Sequence, residues 1–70
     1  MNTLTLSQHE LFLLDLIRST IASNCPILAT KTKIVLEVAS SHGECDRRAI
    51  WQQLTPAEQS KFKELLTCTP

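Results

Sequence analysis

His42 and Cys45 stand at the His-x-x-Cys spacing that lets two side chains meet one metal ion across a turn. That is half of a zinc site. The remaining cysteines, Cys25 and Cys68, are single and distant, so several separate segments would have to converge to complete it. A loop histidine and an inert thiol are expected instead, and no metal. Cys45 or Ser41 beside His42 also names a nucleophile and a base, but adjacency along the chain is not the geometry that catalysis needs. With Gly43 as the one glycine, phosphate-cradling and dinucleotide-binding loops are excluded, and no cofactor is expected. The carboxylates Glu10, Asp15, Glu37, Glu44, Asp46, Glu58 and Glu64 are scattered and read as helix caps or solvated faces. This poverty of convergent groups predicts a protein that is not an enzyme.

A second set of residues has the chemistry of nucleic-acid recognition. Arg48 and Gln52 fall one helical turn apart, with Arg47 and Gln53 beside them, and Arg and Gln can read guanine and adenine edges in the major groove. Ala39 and Gly43 precede them at the spacing at which small residues let two helices of a helix-turn-helix cross closely. Lys31 and Lys33 would then be phosphate contacts. Against this, His42 and Glu44 flank the glycine where apolar contacts belong. Seven basic and seven acidic residues also cancel, so no global field draws the chain to a polyanion. A small DNA-binding transcriptional regulator is therefore the alternative function, not the leading one.

The elements that must position these residues are legible from caps and spacing. In Leu6-Ser7-Gln8-His9-Glu10-Leu11, Ser7 can cap a helix, Glu10 can reach back to close the box, and Leu6 can staple onto Leu11. A first helix from Gln8 to about Ala22 follows, with Leu13, Leu16, Ile17 and Ile21 on one side. Leu11, Phe12 and Leu14 widen that side to about 200°, leaving Asp15, Arg18, Ser19 and Ala22 as a narrow polar strip. Pro26 suits the first position of a second helix, which should run to about Ser41 and bury Ile27, Leu28, Ile34, Val35, Val38 and Ala39. Its outer face would hold Lys31, Lys33, Glu37 and Ser40, and Gly43 would follow as the C-cap. A strand at Lys33 to Val38 competes, because Ile34, Val35 and Val38 are β-branched, but a lone strand has nothing to pair with. Asp46 should cap a short third helix with Ile50, Trp51 and Leu54 on its apolar side. Thr55-Pro56-Ala57-Glu58 repeats the capping logic for a fourth, which ends near Leu66 and buries Phe62, Leu65 and Leu66.

Seventy residues allow one domain, residues 1–70, with loose ends at 1–6 and 67–70. The expected fold class is all-α, a compact bundle of three to four short helices. Hydrophobic residues make up 43% of the chain, with eleven leucines among them, which is too many for a disordered segment. The first residues carry no Lys or Arg, and Asp15 and Arg18 interrupt the apolar stretch that follows, so neither a secretory signal nor a membrane span is expected. Three widely spaced cysteines do not make a disulfide framework, and the expected location is the cytoplasm.

A bundle this small cannot easily cover the whole apolar face of the first helix, so a partner should. The expected function is that of a small non-enzymatic regulator or adaptor acting by protein–protein contact, or by pairing with itself as a homodimer. Phe12, Leu13 and Leu16 would lead that contact. Trp51 offers a second, with Arg47 one turn earlier able to stack on its ring.

Overall fold

The computed structural model describes residues 6–68. Loose ends expected at 1–5 and 69–70 lie outside the described residues, while Leu6 packs against the core and Thr67 is the last residue of a helix. Helix α1 (Gln8–Ser23) begins with the expected capping box: Ser7 Oγ accepts the Glu10 N–H at 3.1 Å and Glu10 Oε1 accepts the Ser7 N–H at 2.9 Å. It ends at Asn24, whose left-handed φ of 54° turns the chain and lets its N–H reach the Thr20 and Ile21 carbonyls. Helix α2 (Pro26–Ser41) starts on its proline with no side-chain cap from Cys25. It stops in a Schellman turn, where Gly43 donates to Ser40 and Glu44 donates to Ala39. Helix α3 (Arg47–Gln52) is capped by Asp46, and α4 (Pro56–Thr67) by a second Ser/Thr–Glu box between Thr55 and Glu58.

The segment from Lys33 to Val38 is helical, and no strand occurs among the described residues. Gly43 is present for its backbone, not for its size. Its φ is +73° and a Cβ built on it would meet nothing, so it does not serve a close crossing of α2 and α3.

Helices α1 and α2 each touch all three other helices. Leu13, Leu14, Ile17 and Thr20 form the buried face of α1. Ile50 and Leu54 from the α3 segment and Phe62 and Leu65 from α4 complete the core from the other side. Arg18 on the polar strip of α1 fastens the start of α4: its Nε meets Glu58 Oε2 at 3.2 Å and its Nη2 donates to the Gln53 carbonyl at 3.1 Å.

Helix α2 packs opposite to the sequence expectation. It buries Ala29, Thr32, Leu36 and Ala39, and it exposes Ile27, Leu28, Ile34, Val35 and Val38. Of the expected stripe only Ala39 is inside. Side-chain volume explains the choice, because the large chains of α1, α3 and α4 already fill the core, and a helix with small residues on its inner face can lie close against them. A buried hydroxyl pair fixes the approach: Thr20 Oγ1 donates to the Leu16 carbonyl at 2.9 Å and lies 3.0 Å from Thr32 Oγ1. No helix among the described residues is long and apolar enough to cross a membrane.

Candidate functional site

Two surfaces combine the residue types that the sequence singles out. The first is the outer side of the α1–α2 hairpin. Contacts between Thr20 and Thr32 at one end, and between His9 and Glu44 (3.8 Å) at the other, show that the two helices run antiparallel. His9, Ile34, Val35 and Val38 line a shallow depression where they meet. His9, Phe12 and Leu16 share one side of α1, so Phe12 extends this apolar surface by a turn. The exposed aliphatic side chains of α2 are between 42% and 63% accessible, and Phe12 is 61% accessible. Leu13 is 0% accessible and belongs to the core, so it is not an interface residue. Leu16 is half-buried against the core. Of the three side chains expected to lead the contact, one is presented.

The second surface is an open groove of about 430 Å³ where α2, α3 and α4 meet. Its floor is Ile17, Leu36, Ile50, Phe62 and Leu66, and Trp51 stands at its side. Four cations are among its lining residues, Lys33 from α2, Arg47 and Arg48 from α3, and Lys63 from α4, with no carboxylate in the lining. Helical spacing puts them there, since Arg47 and Trp51 are four apart on α3 and Phe62 and Leu66 four apart on α4. Trp51 is held by a tilted contact to Phe62, with ring centroids 6.1 Å apart, and by Gln59 Nε2 donating to its carbonyl at 2.9 Å. The cation over its ring is Lys63, 5.7 Å from the centroid, rather than Arg47.

The residues of the nucleic-acid reading separate. Lys33, Arg47 and Arg48 line the groove, whereas Lys31 projects among the exposed aliphatic residues of α2. Gln52 and Gln53 are exposed, and the Gln53 backbone is engaged by Arg18. Helix α3 has six residues, about 9 Å of helix.

His42 is exposed at the end of α2, and among the described residues no hydrogen bond links it to Ser41 or Cys45. Burial, and then the charge of nearby Glu10, push the Cys45 thiol up from its ordinary value, which disfavours the thiolate that a nucleophile or a metal ligand requires. No three His, Cys, Asp or Glu side chains gather into a metal-holding group among the described residues. The cysteines are free thiols.

Sequence reasoning missed the exposed face of α2 and the contribution of Lys63. The signal for the first was present: Ala29, Thr32, Leu36 and Ala39 are spaced three, four and three apart, a complete helical stripe of mostly small residues. For Lys63 no local signal exists, because its neighbour Trp51 lies on another helix. Comparison with known proteins finds no matching family model, curated protein or solved structure.

Proposed function

We propose that this protein is a small non-enzymatic regulator or adaptor that acts by binding protein, and that the outer face of α2, extended by Phe12, is its principal contact. One observation carries the reading: five large aliphatic side chains lie exposed on a single helix. Single apolar residues are ordinary on a protein surface, but five on one face of a helix, interrupted only by Lys31, favour an interaction site. A second copy of the chain is the first partner to test, since two-fold pairing of such faces is the commonest way small helical proteins enlarge their core.

Sedimentation of the chain and of Val35→Glu over a range of concentrations tests this. The native chain should associate and the variant should remain monomeric with unchanged helicity. If native and variant chains sediment alike at every concentration and also capture the same partners, the α2 face is not the contact.

A second reading, a DNA-binding regulator, is favoured by the absence of any carboxylate partner for Arg47 and Arg48 among the described residues. The apolar floor between these cations favours protein. Titration of a labelled random duplex at low and near-physiological salt separates the two, because phosphate contacts lose affinity steeply as salt rises.

A further inference from the structure

The groove beside Trp51 differs from the α2 face in its electrostatics. The chain as a whole is neutral, yet four of its seven basic side chains line this one apolar groove. Lys33 is partly neutralised by Glu37 at 3.0 Å. Arg47, Arg48 and Lys63 have no carboxylate within ion-pairing distance among the described residues. Arg47 and Arg48 occupy the first turn of α3, where the Asp46 carboxylate is committed to the Arg48 and Ala49 N–H groups as the cap. Cations without a carboxylate partner among the described residues, lining an apolar groove, are available to a ligand of opposite charge.

We propose that this groove binds an acidic segment of a partner protein, with an apolar anchor side chain seated beside Trp51 and flanking carboxylates meeting Arg47, Arg48 and Lys63. Charge complementarity selects the occupant. The cations that line the groove come from three helices, so they match several spaced carboxylates beside one anchor better than the single head group of a fatty acid. The groove floor is apolar, which a sugar–phosphate backbone does not match. Arginine adds bidentate geometry for carboxylates, and the indole at the wall supplies the large rigid contact typical of an anchor pocket. The proposal shares with the preceding reading only the nature of the partner, and it uses a different face.

Trp51, the only tryptophan of the chain, reports on the groove directly. The probe is a short synthetic peptide that carries a Phe and a Leu among Asp and Glu residues and contains no Trp, with an N-terminal dye for anisotropy as the second readout. It is compared with the same peptide carrying Asn and Gln in place of its acids, with one carrying Ser in place of Phe and Leu, with an oligothymidylate and with decanoate. The acidic apolar peptide should shift Trp51 emission saturably, and losing either its acids or its anchors should weaken binding about tenfold or more, the ratio that about 1.4 kcal/mol represents. The double charge reversal Arg48→Glu with Lys63→Glu alters exposed side chains, so helicity should persist while the preference for the acidic peptide disappears.

Equal binding of the neutral peptide, indifference to the charge reversal, or no binding of any peptide would overturn the proposal. So would a response to the oligothymidylate or to decanoate alone, which would assign the groove to nucleic acid or to a small amphiphile. Val35→Glu should leave peptide binding intact. If it abolished that binding, the peptide would sit on the α2 face, and this proposal would fail while the α2 reading stood. If Val35→Glu changed neither association nor peptide binding, the α2 reading alone would fall.

Discussion

Glu10 and Asp46, thirty-six residues apart, are joined by the shortest of the side-chain hydrogen bonds described for this protein: Glu10 Oε2 accepts the Asp46 backbone N–H at 2.7 Å. The other oxygen of the same carboxylate caps α1 through Ser7. Glu58 repeats the arrangement, capping α4 through the Thr55 N–H with Oε1 and meeting Arg18 with Oε2. Each capping glutamate thus closes a helix locally and ties it to a distant element.

Acid should loosen both ties. Backbone N–H donors, those of Ser7 and Asp46 for Glu10 and that of Thr55 for Glu58, hold the two carboxyls below their ordinary value, with Arg18 adding to the second. A carboxyl lowered in the folded state contributes stability that is fully present above its unfolded pKa and is lost as pH falls through the folded one. Urea midpoints should therefore be steady from neutral pH down to about 5 and then decline, and Glu10→Gln with Glu58→Gln should flatten the decline. An equally steep decline in the double variant would assign the acid sensitivity to other groups.

Loss of the Glu10 carboxylate should be felt in two places. Ser7→Ala removes one cap contact and should cost about 1 kcal/mol. Glu10→Ala deprives both the Ser7 and the Asp46 N–H of an acceptor, so its urea midpoint should fall further than that of Ser7→Ala. Hydrogen exchange at the Asp46 amide should accelerate in Glu10→Ala and stay slow in Ser7→Ala.

The buried threonine pair should behave non-additively. Thr20→Val leaves the Thr32 hydroxyl without its partner at the α1–α2 contact, at a cost of about 1–3 kcal/mol. Replacing both by Val removes the orphaned group while keeping the shape, and the double variant should be more stable than Thr20→Val alone. A thermodynamic cycle of the four chains by chemical denaturation measures this coupling.

Neighbouring positions on α1 should answer oppositely to substitution. Leu13→Ala empties a fully buried site and should cost about 2–5 kcal/mol. Phe12→Ser alters an exposed side chain and should stay within about 0.5 kcal/mol for the isolated monomer, measured at a concentration too low for association. A large loss from Phe12→Ser under those conditions would place Phe12 inside the fold rather than on a contact surface.

Asn24 should tolerate glycine better than alanine. Its φ of 54° is left-handed, a conformation that costs an L-residue with a Cβ about 1–2 kcal/mol and that glycine adopts freely. Thermal midpoints of Asn24→Gly and Asn24→Ala should therefore fall in that order, with Asn24→Gly at or above the native chain.

The start and stop of each helix are written locally. Ser7 with Glu10, Asp46, and Thr55 with Pro56 and Glu58 place their caps within a few residues of the groups they satisfy, and Pro26 and Gly43 mark ends by their own backbone restrictions. That is why the all-α class and the element order are legible in the sequence, while at Lys33 to Val38 the β-branched residues keep a strand in competition until the structure shows a helix. The convergence of Arg47, Arg48 and Trp51 was half legible, since they share one short helix. Lys33 and Lys63 join them only through packing.

What the tertiary structure alone decided is which side of α2 faces inward. That helix carries two apolar stripes, one of Ala29, Thr32, Leu36 and Ala39 and one of larger aliphatic residues, and helical periodicity cannot rank them. Hydrophobicity favours the larger stripe. The room left beside α1, α3 and α4 admits the smaller one, with Thr20 and Thr32 satisfying each other across the contact. A helix is formed by its own residues, but its buried face is chosen by the volume its neighbours leave, and that volume is a property of the assembled bundle.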